Sequence, residues 1–129
     1  MVKILDSDHC IALLRGQLNL AARVAPSEEL AVTAISVGEL THGAHKSARV
    51  TENLARLDVL LGTVTILPYD ERTARRFGAL KADLERAGKP ISDLDLQIAS
   101  IALENAAPLV THNRHHFERV SALVIEDWL

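Results

Sequence analysis

Asp6, Glu39 and Asp95 are carboxylates far apart in the chain, and each stands where an apolar run gives way to polar residues. Asp6 opens Asp6-Ser7-Asp8, Glu39 lies in Ser36-Val37-Gly38-Glu39, and Asp95 closes Ser92-Asp93-Leu94-Asp95. A further apolar run leads into Thr111-His112-Asn113. Carboxylates gathered at one place repel each other at neutral pH unless a cation sits among them. Oxygen donors of this kind suit Mg²⁺ or Mn²⁺ better than softer metals. The chemistry open to these runs is therefore that of a bound hard divalent cation, held by acids drawn from Asp6, Asp8, Glu39, Asp93 and Asp95.

Each acid also has a local explanation. Asp6, Ser7 or Asp8 can cap the helix that follows. Ser36-Val37-Gly38-Glu39 is a capping box, in which the glutamate reaches back to the cap amide. Asp93 and Asp95 stand in a first helical turn, where the helix dipole favours acids. What argues for a shared site is position: the carboxyl ends of parallel strands open on one crevice, and all these acids belong beside that edge. Thr111 and Asn113 follow a strand and can add hydrogen bonds around the ligands. His112, His115 and His116 suggest zinc, but no cysteine pair or second spaced histidine set completes a four-ligand site. Cys10 reads as a small packing side chain.

The elements needed to bring the acids together are legible as alternating strands and helices. A strand over 2–5 leads into a helix carrying Ile11, Leu13 and Leu14 that stops at Gly16. A helical stretch is expected over 18–24, a strand over 30–35, a helix from Ser36, and an amphipathic helix over 48–61 closed by Gly62. A strand over 64–67 stops at Pro68, and Asp70 can cap a long helix that Gly88-Lys89-Pro90 ends. Residues 94–103 are apolar almost all round, as in a helix buried on more than one side. Strands at 109–110 and 123–125 follow, separated by a His-rich loop or turn over 112–119. Parallel neighbours need long crossovers, so this alternation predicts an α/β sandwich.

Composition bounds the rest. The 129 residues, 48% of them hydrophobic, suit a single domain with its own core. With 14 Lys+Arg against 17 Asp+Glu the formal charge is −3, so a polyanion would have to be held locally or through metal. One cysteine and no long apolar segment point to a soluble protein of the reducing cytoplasm, without a membrane span. Phosphate-loop, nucleophile-elbow and dinucleotide fingerprints are absent. Arg72, Arg75, Arg76 and Arg86 form a basic helix face, which is solvated unless it meets phosphates.

Pro90-Ile-Ser-Asp-Leu-Asp-Leu-Gln-Ile-Ala-Ser, Pro108-Leu-Val-Thr-His-Asn, Phe117-Glu-Arg-Val and Glu126-Asp-Trp, with Leu5-Asp-Ser-Asp and Ile35-Ser-Val-Gly-Glu-Leu before them, resemble the PIN-domain ribonucleases. Within these, the chain is most similar to the VapC toxins of toxin–antitoxin modules, in the right order over essentially its whole length. The resemblance implies a single PIN domain over 1–129, a three-layer sandwich with a central, mostly parallel five-stranded sheet. It implies a Mg²⁺- or Mn²⁺-dependent endoribonuclease acting on a structured RNA such as a tRNA or rRNA loop, a VapB-like antitoxin partner, and a homodimer. Asp6, Glu39 and Asp95 fall on the family's acids, with Ser7 and Thr111 orienting carboxylates or phosphate. Where the family often has Thr-Asn or Ser-Asn after the first acid, this chain has Ser7-Asp8; where it often has a fourth aspartate, this chain has Asn113, and Asp93 is the candidate to replace the missing charge. Two alternatives use the same acids. One is a PIN-fold binding module without catalysis. The other is a receiver-type phosphoacceptor domain, which needs a lysine near its last strand, whereas the final lysine here is Lys89.

Overall fold

A computed structural model describes residues 1–129 as five strands and six α-helices in alternation. The strands are β1 (Val2–Leu5), β2 (Glu29–Thr33), β3 (Thr65–Leu67), β4 (Leu109–Val110) and β5 (Ile125–Glu126). The helices are α1 (Ser7–Leu14), α2 (Ala34–Lys46), α3 (Val50–Leu61), α4 (Glu71–Arg86), α5 (Asp93–Glu104) and α6 (Arg114–Phe117). The sheet order is β3-β2-β1-β4-β5, and every pairing is parallel. The sheet is thus wholly rather than mostly parallel. A receiver-type sheet runs 2-1-3-4-5, so this order removes the phosphoacceptor alternative.

A parallel sheet covered on both faces needs successive strand residues to be apolar, and the three inner strands supply them in pairs. Ile4, Ala31 and Leu109 belong to one core cluster, with Leu84 of α4, Leu96, Ile98 and Ile101 of α5, and Phe117 of α6. Their neighbours Leu5, Val32 and Val110 belong to the other, with Cys10 of α1, Leu40 of α2, Leu57 of α3 and Trp128. Helices α1 to α3 therefore cover one face and α4 to α6 the other. The apolar surround of residues 94–103 has the expected consequence: Leu96 and every residue from Ile98 to Ala102 are buried.

Several boundaries differ from the sequence expectation, most by one or two residues, and three of them bear on the fold. The stretch 18–24 forms only a 3-10 turn at Leu20–Ala22, opened by Asn19, whose side chain accepts the Ala21 amide. Bounded by Gly16 (φ +69°) and Pro26, the segment makes this one turn and no more. The last strand sits at Ile125–Glu126 instead of 123–125. The difference with most bearing on the site is at α2, which starts at Ala34 rather than Ser36. Thr33 is the cap, its hydroxyl oxygen accepting the Ser36 amide at 3.1 Å. The β-branched Ile35 suggests strand, but the Thr33 cap ends the sheet two residues earlier. Thr33→Ala should therefore cost about 1–2 kcal/mol in denaturant unfolding. Ser36→Ala should cost less, and the reverse ranking would restore the Ser36 capping box.

Candidate active site at the carboxyl edge of the sheet

The chain runs outward from β1 to β2 and β3, then returns to add β4 and β5 on the other side of β1. Order reverses between β1 and β4, so the crevice beyond their carboxyl ends is the expected ligand position. Asp6 follows β1 there and Thr111 follows β4. The Asp6 backbone is still extended (φ −74°, ψ 166°), and its side chain caps α1. Capping and ligation do not compete for the whole carboxylate: Oδ1 accepts the Ser7 amide at 2.8 Å and Oδ2 accepts the Thr111 hydroxyl at 2.8 Å. Each oxygen keeps a further lone pair.

Glu39 is no capping-box glutamate, because its helix begins at Ala34 and is capped by Thr33. It lies one turn further in, where its Oε1 accepts the Ser7 hydroxyl at 3.3 Å. Ser7 thus bridges the two acids, donating its amide to Asp6 and its hydroxyl to Glu39. Asp95 stands in the first turn of α5, a helix that packs against α2. Asp95 Oδ2 lies 3.1 Å from His116 Nδ1. The electrostatics tie the three acids together. Burial, with added repulsion from Asp8 and Glu39, pushes the Asp6 carboxyl up to about 6 against the Ser7 and Thr111 hydrogen bonds. Burial, with repulsion from Asp95, also raises Glu39.

Asp93 behaves differently. Its carboxylate pairs with Lys81 of α4 at 3.0 Å and so points to the α4 side, not to the other acids. This corrects the expectation that Asp93 supplies the missing fourth charge. Asn113 reaches the site through an intermediary: its side-chain amide lies 2.9 Å from His116 Nδ1, which also faces Asp95. Its backbone amide donates to the Thr111 hydroxyl oxygen at 3.0 Å.

His116 and the Asp8–His9 pair are the residues that sequence reasoning missed. The three histidines after β4 do not converge as a zinc site would require: His112 faces Asp127 at 2.8 Å, His115 faces Glu118 at 3.9 Å, and His116 faces Asp95 at 3.1 Å. Asp8 has one oxygen 2.6 Å from the buried His9 Nδ1, while the other accepts the His112 amide at 2.9 Å. Although burial opposes it, these donors hold the Asp8 carboxyl below the ordinary range. The signal for this pair was its adjacency at a helix start, but its partners lie over a hundred residues away.

The donor set fits a hard divalent cation in kind: carboxylate oxygens at one edge, of which those of Asp6 and Glu39 are raised by burial first and by neighbouring acids second. The three acids line one edge without closing on a single point: no group of three or more His, Cys, Asp or Glu side chains stands close enough together to hold an ion. Beside it, a groove of about 510 Å³ runs between α1, α2 and α3, lined by Ser7 and Glu39 at one end and by Ile11, Leu14, Arg15 and Arg56 further along. The basic face of α4 is occupied with its own ion pairs, Arg72 and Arg76 both meeting Glu104. No helix is long and apolar enough to cross a membrane.

The fold is shared with known proteins. A family profile described as PIN domain matches residues 3–123. Ribonuclease VapC2 of Rickettsia felis is 30% identical, covering 99% of this chain and 98% of that protein. The tRNA(fMet)-specific endonuclease VapC of Shigella flexneri is 31% identical, covering 97% of this chain and 96% of that protein. Among solved structures, VapBC2 from Rickettsia felis, bound to a DNA fragment from its promoter, superposes with a TM-score of 0.92 at 28% identity over 100% of both chains.

Proposed function

Since the chain belongs to the PIN-domain family, and within it to the VapC ribonucleases, we propose that it is a Mg²⁺- or Mn²⁺-dependent endoribonuclease, neutralised by a VapB-like antitoxin, that hydrolyses phosphodiester bonds in a structured RNA. The observation that carries this reading is the placement of Asp6, Glu39 and Asp95 at one sheet edge, where Ser7 bonds both Asp6 and Glu39 and where burial, with like-charge repulsion added, raises those two carboxyls. Bound among these oxygens, Mg²⁺ or Mn²⁺ supplies the charge that makes water nucleophilic at neutral pH and offsets the charge developing on the phosphate. The chain's own residues do the positioning. Ser7 holds Asp6 and Glu39 at a fixed separation, Thr111 orients Asp6 from the β4 side, and His116, its Nδ1 3.1 Å from Asp95 Oδ2, fixes the direction of Asp95.

A loop of tRNA or rRNA is the proposed substrate class, supported by the name of the Shigella relative. Only 3% of residues are aromatic, and Phe117 and Trp128 are buried, so backbone and shape contacts carry more of the recognition than base stacking. Arg15 and Arg56 along the groove offer phosphate contacts that the net charge of −3 does not. The groove also supports the antitoxin partner, because a segment laid along it would end at Ser7 and Glu39. Exposed apolar side chains such as Val59 on α3 support a second copy as a further partner. The single cysteine, buried and unpaired, fits a cytoplasmic setting.

Cleavage of a stem-loop RNA by the purified protein, followed on gels with Mn²⁺, with Mg²⁺ and with chelator, tests the reading. Cutting is expected with either ion and not with chelator, and chelator-resistant cutting would sink it. Asp93→Asn should cut within about threefold of the parent, since its partner Lys81 lies outside the crevice and exposed pairs contribute little.

A further inference from the structure

His9 is fully buried, and both of its ring nitrogens are engaged. Nε2 accepts the backbone amide of Trp128 at 3.0 Å. A backbone amide can only donate, so the ring proton belongs on Nδ1, which must then donate to Asp8 Oδ1 at 2.6 Å. The other Asp8 oxygen accepts the His112 amide at 2.9 Å, a second group that can only donate. Position 8 therefore needs an acceptor on both sides. An aspartate meets that need, whereas an asparagine would turn its NH₂ toward a donor. His112 belongs to the loop whose preceding residue, Thr111, delivers its hydroxyl to Asp6 at 2.8 Å. A continuous set of one-directional hydrogen bonds thus runs from the C-terminal segment through His9 and Asp8 to the loop that orients Asp6.

We propose that His9 is a positioning residue of the site: through Asp8 it holds the loop after β4 in the place from which Thr111 orients Asp6. Residues 8 and 9 are then a coupled pair, which gives the departure from the family's Ser-Asn or Thr-Asn a physical reason. Asparagine at position 8 is incompatible with histidine at position 9 while Trp128 donates to the ring. The kinetic part of this inference rests on the nuclease reading; the hydrogen-bond part does not.

The test is a double-substitution cycle of Asp8→Asn, His9→Leu and both together. It is read by kcat and KM on a stem-loop RNA with Mn²⁺, by Mn²⁺ binding to the free protein through electron paramagnetic resonance, and by amide exchange at His112. Asp8→Asn alone is expected to lower kcat about tenfold, with KM unchanged, and to weaken Mn²⁺ binding by a similar factor. It should also speed exchange of the His112 amide. In the His9→Leu background the same substitution should cost less than about threefold, because the introduced amide is free to turn its carbonyl to the His112 N–H. The loss of the Asp8 charge is common to both backgrounds, so the difference isolates the pairing. Equal effects in the two backgrounds would overturn the inference. Should His9→Leu not fold, Asp8→Asn decides alone: its side chain is partly exposed, and parent-like exchange at His112 with parent-like Mn²⁺ binding would overturn the inference. If the parent cuts no RNA, the nuclease reading falls, while faster exchange and weaker Mn²⁺ binding in Asp8→Asn would still uphold the positioning role.

Discussion

Asp6→Asn is expected to abolish RNA cleavage and, in the same protein, to raise the stability of the metal-free fold. The two effects have one cause. Asp6 is only 8% exposed and lies beside Asp8 and Glu39, so its charged form is disfavoured and its carboxyl titrates at about 6 instead of 3.8. A group whose folded pKa is raised stabilises most below its unfolded pKa, and that contribution is lost as pH climbs through the folded value. At pH 7 the charged Asp6 is a liability of about 3 kcal/mol to the metal-free protein. Asparagine keeps the shape and can still accept the Ser7 amide, while its NH₂ meets the Thr111 oxygen once that hydroxyl turns away. The variant should therefore melt on the order of 5–10 °C higher without metal at pH 7, with the gain shrinking toward pH 4. Catalysis moves the other way. Losing a ligand removes several kcal/mol of charge stabilisation, and each 1.36 kcal/mol is tenfold in rate, so cleavage should fall by about 10³ or more. Scanning calorimetry and gel assays on one preparation check both, and a variant that melts lower yet cleaves like the parent would refute both arguments.

How far each of these residues was legible in the sequence depends on how far along the chain its partners lie. Asp6 was legible because it stands where a β-branched run meets a helix start, and strand order alone then places it in the crevice. Glu39 was harder. Its sequence context is a capping box, and only the Thr33 cap, which moves the helix start back to Ala34, frees it from that local role. Asp93 and Asp95 show the limit most clearly. They share a first turn and the same dipole argument, so nothing local separates them. Lys81 on α4 attracts one, while the packing of α5 against α2 turns the other toward Glu39. His9 was read past for the same reason: its partner Asp8 is adjacent, but the Trp128 amide that fixes its proton is contributed from the far end of the chain. The fold was more open to reading than the site, because two-faced burial leaves its mark on every inner strand, as in Ile4-Leu5, Ala31-Val32 and Leu109-Val110. The 18–24 stretch keeps its expected burial without its expected helix: Leu18, Leu20 and Val24 pack on the core from a single 3-10 turn.

Binding of Mn²⁺ should weaken tenfold for each pH unit below about 6 and become nearly independent of pH above it. An ion that uses Asp6 must take it as the carboxylate, so below the Asp6 pKa each ion bound displaces one proton, and the apparent affinity falls in proportion to the ionised fraction. Between pH 7 and pH 4.5 this amounts to about thirtyfold from Asp6 alone. Glu39, also raised by burial and by the Asp95 charge, steepens the fall in the same direction. The sign is opposite to that of fold stability without metal, which improves on acidification through the same group. Melting curves recorded with and without Mn²⁺ should therefore diverge as pH rises: the metal-free curve drops while the metal-induced increment grows with tighter binding. Asp6→Asn removes the displaced proton, so its residual Mn²⁺ affinity should follow only the shallower profile set by Glu39. Calorimetric titrations in buffers of different ionisation heat count the protons released directly. About one proton per ion from Asp6 at pH 5, with a further fraction from Glu39, and close to none at pH 7.5 is the expected result, and the same count at both pH values would mean that Asp6 does not hold the metal.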